Sequence, residues 1–262
     1  GSWQETIDPS VSVGVDSTTV PHELIKSGTN AFTFQKVTWV NRLVGDDTTV
    51  PQPSFIGNKI EESFYHNRRL GFLSVNTVFL GKAGSKFNLW YDSAQQISDS
   101  DPIDLEASTI RPVTLTSVIP TTQGLVLFSR NQQFLMASEN GVLTPTTTNI
   151  SPISNCEGDS LVDPVDTGTS INFISKTPSY TRVHAMQTRG QDENPDVVDI
   201  SRIVNEWIRE IIDTFISSPQ NQFIALSSQS SKKVYFFRIY TVGDKNAMEA
   251  WFNWDVCGTV QS

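Results

Sequence analysis

Cysteine is nearly missing from this chain: Cys156 and Cys257 are its two thiols in 262 residues. That excludes a disulfide-stapled scaffold. Neither thiol has a second Cys or a His at metal-ligand spacing, so each reads as a small, buried, structural residue. Histidine is almost as scarce. His22, His66 and His184 stand far apart, and none accompanies a G-x-S-x-G turn or an H-E-x-x-H helix. Glycine-rich phosphate loops are missing too, as is any run of about 18 apolar residues that could cross a membrane as a helix. Positive charge is short: 19 Lys and Arg stand against 28 Asp and Glu, for a net charge of −9. Such a chain lacks the cationic excess that grips nucleic acid by neutralising phosphates. Arg68–Arg69 is too short for a nucleic-acid patch, and Arg69 is expected to bridge neighbouring strands or subunits. On these absences no catalytic, cofactor-binding or metal-ligating residue is assigned, and no cofactor is expected.

What remains is a folded composition, 37% hydrophobic, with strand signals throughout. Val11–Val15 alternates apolar with small or polar residues. Phe32–Val40 alternates with one slip, which suggests a bulge. Turn residues punctuate at Gly45-Asp46-Asp47, Pro51-Gln52-Pro53, Gly57-Asn58 and Gly243-Asp244.

A repeat then emerges. Four hairpins share one form: an apolar strand ending in Ser, a short polar turn, then a second apolar or aromatic strand. They pair Phe72–Ser74 with Val78–Leu80, Leu125–Ser129 with Phe134–Met136, Ile171–Ser175 with Val183–Met186, and Phe223–Ser227 with Val234–Phe237. The four serines are spaced by 55, 46 and 52 residues. A period of this order, with several strands per unit, is the mark of propeller blades. The fold class is therefore all-β, an irregular β-propeller-like domain of repeated antiparallel hairpins, with a two-layer sandwich as the alternative. In this division residues 1–2 are an expression scar, 3–60 an N-terminal β segment and 61–262 the propeller-like domain.

One amphipathic helix is expected inside that domain, over residues 199–213. Ile200, Ile203, Val204, Trp207, Ile208, Ile211 and Ile212 fall on one stripe, and Asp199 is its N-cap. Isoleucine is a weak helix former, so packing must hold it. Residues 188–195 before it read as a polar loop. The densest acidic group is Asp99, Asp101 and Asp104, with Asp92 upstream. Oxygen ligands at alternate positions suit calcium, but Pro102 breaks the loop pattern. The preferred reading has Asp101 capping the turn before Pro102 and Asp104 pairing with Arg69 or Arg111. Paired carboxylates can also hydrolyse glycosides, though most acidic β proteins offer such pairs. Trp251 and Trp254 could stack on sugars; their place on an apolar strand favours packing in a core.

Seven landmarks occur in one order: Asn67–Ser74, Phe87–Trp90, Ser98–Asp104, Leu125–Ser129 with Gln133–Leu135, Leu143–Pro145 with Thr148, Asp199–Ser201, and Tyr235–Tyr240 with Ala250–Trp254. The set resembles the tail tubular protein B family, the tail nozzle proteins of short-tailed bacteriophages, over roughly residues 60–256. The resemblance implies a structural virion protein of the phage tail, without enzymatic activity. Members are several times longer than this chain, so it reads as a central piece. The resemblance also implies a homohexameric ring beside the tail adaptor protein and the tail fibres. That ring retains genomic DNA and then conducts it through a lumen without sequence-specific binding, and it can meet the host envelope. Both cysteines are then expected reduced. An acidic lumen wall would repel phosphates and let the duplex slide; the same charge also serves ordinary solubility. The alternative from another class is a host-surface carbohydrate-binding or hydrolysing β module of a phage tail. A third is a general propeller scaffold for protein partners.

Overall fold

A computed structural model describes residues 4–138, 140–187, 194–229, 231–242 and 245–260. The Gly1–Ser2 scar, residues 188–193 of the expected polar loop and the Gly243-Asp244 turn lie outside the described residues. The chain is all-β. A two-stranded ribbon, β1 (His22–Gly28) and β2 (Ala31–Lys36), comes first. Four four-stranded antiparallel sheets follow in sequence order. The first is β3 (Ile60–His66), β4 (Arg69–Ser74), β5 (Thr77–Leu80) and β6 (Ile103–Glu106). The second is β7 (Leu115–Pro120), β8 (Leu125–Ser129), β9 (Gln133–Ser138) and β10 (Thr148–Ser154). The third is β11 (Val165–Asp166), β12 (Ile171–Lys176), β13 (Thr181–Gln187) and β14 (Asp196–Asp199). The fourth is β15 (Thr214–Ser218), β16 (Phe223–Ser227), β17 (Lys233–Val242) and β18 (Lys245–Asp255).

Every strand lies beside its neighbour in sequence. The four Ser-ended hairpins form the middle of the four sheets: β4–β5, β8–β9, β12–β13 and β16–β17. Their first strands are apolar on both faces because both faces are covered, and Ser74, Ser129, Ser175 and Ser227 are all buried. The turns after them differ. After Ser74, Val75 adopts φ 52°, a left-handed conformation that a β-branched residue rarely accepts. Its carbonyl accepts from Leu115 N at 2.7 Å, and that of Asn76 from Ala107 N at 2.8 Å.

Contacts divide the chain into two compact units, residues 1–125 with 135–151, and 126–134 with 152–262. The core of the first unit is aromatic. Phe55 meets Phe72 at 4.7 Å and Phe79 at 5.1 Å between ring centroids, and Trp39 meets Phe87 edge-on at 5.7 Å. The core of the second gathers Ile174, Val183, Ile208, Ile212, Leu226, Tyr235 and Phe237, with Trp207 and Trp251 packed against it. Burial of this kind is the main stabilising term, at about 25 cal/mol per Å² of apolar surface.

Three local expectations give way. The helix over 199–213 is a single 3₁₀ turn, Ile200–Val204. Asp199 does cap it, accepting from Ser201 N at 2.9 Å and Ser201 Oγ at 2.6 Å. Beyond it Glu206 takes φ 58°, and the chain then runs irregularly, with Ile208 O accepting from Thr181 N at 2.8 Å. The sheet neighbours supply the hydrogen bonds a helix would have made, and isoleucine has little propensity to resist. Val11–Val15 is not a strand; its ordering contact is Val13 O accepting from Arg42 N at 2.7 Å. Phe32–Val40 ends as a strand at Lys36, after which Val37 and Trp39 enter the core as irregular chain. The irregularity of register falls in β1, between Lys26 and Gly28.

Candidate functional site

The acidic segment is built around Arg69, which is buried at the start of β4. Its Nη1 donates to the carbonyls of Gly81 (3.0 Å), Ser100 (3.2 Å) and Asp101 (2.6 Å), and its Nη2 to that of Asp99 (2.5 Å). The guanidinium therefore holds the Ser98–Pro102 loop by its backbone. Burial pushes Arg69 below the usual arginine range, and Asp101 opposes that shift. Asp101 is itself fully buried and closes the turn as expected, accepting from Ser98 N at 2.7 Å and Asp92 N at 3.3 Å. Asp104 pairs with neither Arg69 nor Arg111. It accepts from Ser54 N at 2.8 Å and Ser54 Oγ at 2.6 Å, and burial raises it above the usual carboxylate range. The aspartates thus serve separate partners, and Asp92 pairs with Lys82. Among the described residues no three Asp, Glu, His or Cys side chains gather as a metal site.

Both cysteines depart from the buried state expected of them: Cys156 is half-buried and Cys257 is exposed. His184 has a partner that sequence spacing did not announce. Its Nε2 lies 2.8 Å from Ser175 Oγ, and its ring stacks on Phe173 at 5.2 Å. Ser175 is a register neighbour of Arg182, and His184 of Asp199, so all four side chains share one sheet face. The arrangement is not that of an activated nucleophile. The Asp199 carboxylate is turned to Ser201, and the amides of Gly158 and Asp159, in the same cleft as Ser175, are committed to the Arg130 and Ile174 carbonyls at 2.8 Å each. Burial lowers His184 below its usual range, partly opposed by Asp199 and reinforced by Arg182.

Two surfaces expose apolar side chains, one in each unit. In the ribbon, Leu24 pairs with Phe34 and Lys26 with Phe32, so one face carries all three apolar residues; Phe34 is 71% exposed. In the fourth sheet one row runs Ile216, Ala225, Phe236, Phe252 across all four strands. Phe236 stacks on Phe252 at 5.2 Å and packs on Trp254 at 4.6 Å. Trp254 is 60% exposed, against the core position expected of it, while Trp251 packs on Phe237 as expected and donates from Nε1 to Ile200 O at 3.0 Å.

The second unit also holds a cavity of about 260 Å³ between its third and fourth sheets. Ala185, Ile200, Ile224 and Phe237 line its apolar side. Thr167, Ser170 and Asn172 form a buried polar side: Thr167 Oγ1 donates to Ser170 O at 2.9 Å, and Asn172 Nδ2 to Thr167 Oγ1 at 3.2 Å. Gln187, Gln222 and Glu249 complete the lining.

A meander of four similar four-stranded sheets, with exposed apolar faces in both units, defines an all-β repeat protein. Residues 1–262 match the bacteriophage nozzle protein family, and the chain belongs to that family, whose place is the phage tail of the virion. It is 28% identical over 263 residues to the tail tubular protein gp12 of Escherichia phage T7, a match covering 99% of this chain and 33% of that protein. The chain thus spans about a third of the length of that relative.

Proposed function

We propose that this chain contributes to a homohexameric nozzle ring in the phage tail, through which genomic DNA is retained and then conducted, with the tail adaptor protein and tail fibres as neighbours. Membership of the nozzle family over the whole chain carries this reading. The succession of four four-stranded meanders supports a propeller-like reading, each sheet corresponding to one blade. The Leu24–Phe32–Phe34 face and the Phe236–Phe252–Trp254 face supply apolar patches of the kind that subunit contacts cover. A closed ring needs heterologous contacts, in which two different patches of one subunit meet their complements on its neighbours. The net charge of −9 favours passage of the duplex over capture. The role is assembly and conduction, not catalysis.

The test is mass by light scattering on this chain and on the full-length protein with its adaptor. A hexamer in the full-length sample supports the ring, and a hexamer of this chain alone puts ring contacts within residues 1–262. A full-length protein that stays monomeric with its adaptor present rejects the nozzle ring.

A further inference from the structure

The β1–β2 ribbon is exposed at every residue from Leu24 to Lys36. A lone two-stranded ribbon is marginal in water, so a surface that covers one of its faces completes it. Its two faces differ. Register places His22, Leu24, Lys26, Phe32, Phe34 and Lys36 on one face, and Glu23, Ile25, Thr33 and Gln35 on the other. The first face is apolar and cationic, with no acid. Glu23 is engaged on the second, accepting from Gln35 Nε2 at 2.8 Å. On the first face Leu24, Phe32 and Phe34 are each more than half exposed. His22 stacks on Phe34 at 5.2 Å, so that ring is oriented before any partner arrives.

The outer face of the fourth sheet is aromatic where the ribbon is cationic. Its inner face is spent on the core through Tyr235 and Phe237. On the outer face Ile216, Tyr240, Met248 and Trp254 are each more than half exposed, beside the Phe236–Phe252 stack. Arg238 is its one charge among the described residues, in the row of Phe223 and Ala250, two rows from Trp254. Aromatic rings attract cations placed over them, and Trp does so best. Size fits as well. At about 150–250 Å² for a whole aromatic side chain, Leu24, Phe32 and Phe34 with the exposed sheet residues offer on the order of 900 Å². Specific interfaces begin at about 1,200 Å², a total that a polar rim completes. Symmetry selects the pairing. Ribbon on ribbon, or sheet face on sheet face, is isologous and closes at two copies, whereas a ring needs two different patches that meet head to tail. Resting on the ring reading, we propose that the cationic apolar face of the ribbon of one copy docks on the outer face of the fourth sheet of the next copy. Phe32 and Phe34 lie against Phe252 and Trp254 there, with a ribbon lysine over the Trp254 indole.

The experiment is photocrosslinking of the full-length protein, with its adaptor present, after Phe34→benzoylphenylalanine. A product of two-chain mass should form, with the new bond on Met248, Phe252 or Trp254 by mass spectrometry. A double-mutant cycle reads the same contact by sedimentation. Phe34→Ala and Trp254→Ala should each weaken association about tenfold, as anchor residues of an interface do. Both together should weaken it little more than either alone, because each removes the same contact. Lys26→Glu with Lys36→Glu should weaken it too. In a sample of hexameric mass, bonds between chains that map away from the fourth sheet, or none between chains, overturn the docking and leave the ring intact. So do strictly additive effects of Phe34→Ala and Trp254→Ala. A full-length protein that stays monomeric overturns the ring and the docking together.

Discussion

Arg69 shows how one side chain can stand in for a missing strand. Three of its carbonyl bonds hold the Ser98–Pro102 loop and the fourth ties it to Gly81, just past β5. Arg69→Met would strip these carbonyls of their guanidinium donors and leave the buried Asp101 carboxylate without its cation, and should lower stability by about 3–5 kcal/mol in denaturant melts. Gly124 is constrained in another way. It sits at φ 147°, and a Cβ there would lie 2.3 Å from the Met136 carbonyl oxygen. Gly124→Ala should therefore cost about 2–4 kcal/mol, measured the same way. His184 ties stability to pH. Its folded value is depressed below the ordinary 6.5, so the unfolded chain binds the extra proton first as pH falls. Stability from this group is present above about 6.5 and is lost progressively below it. His66, lowered by burial, acts in the same direction. Melts from pH 7.5 to 5 should show the loss, and His184→Asn should make the slope shallower.

At the scale of the element, the legible parts are those whose burial is simple. The inner hairpin strands read clearly in sequence because Leu125–Ser129 and its counterparts are covered on both faces and show as short unbroken apolar runs. The outer strands β6, β11 and β14 did not stand out, since sequences such as Ile103–Glu106 are short and half-polar. The helix was misread for a definite reason. Spacing of three and four residues also arises when an irregular chain crosses a core and dips into it at intervals. Ile208 and Ile212 dip in, Ile212 to full burial, while Ile211 is 72% exposed. A helical stripe would bury 208, 211 and 212 alike. Ile212→Ala should therefore cost about 2–5 kcal/mol, and Ile211→Ala within about 0.5. Equal costs would restore the helix. The cavity was hidden from the sequence altogether, because its lining draws on residues around β11–β12 and on Gln222 before β16, some fifty residues on.

For the whole molecule, family membership came through ordered landmarks that each had little weight alone. The ring reading makes its own demands on surfaces. If the fourth-sheet face is a subunit contact, Trp254→Asp should leave the melting temperature of the chain nearly unchanged, since that side chain is 60% exposed. The same substitution should reduce the hexamer fraction of full-length protein in light scattering. The acid excess makes a second demand: duplex DNA should show no retention by this chain in gel-shift assays even at low salt, where phosphate contacts are strongest.

The pairing of every strand with its neighbour in sequence also bears on how the protein is made. Each described strand pairs with a strand next to it in sequence, so most loop closures are short, the longest within a sheet being residues 81–102, and a growing chain can complete each sheet soon after it leaves the ribosome. A subunit destined for a crowded ring would then expose its unpaired sheet edges only briefly, which limits the time for pairing with the wrong copy.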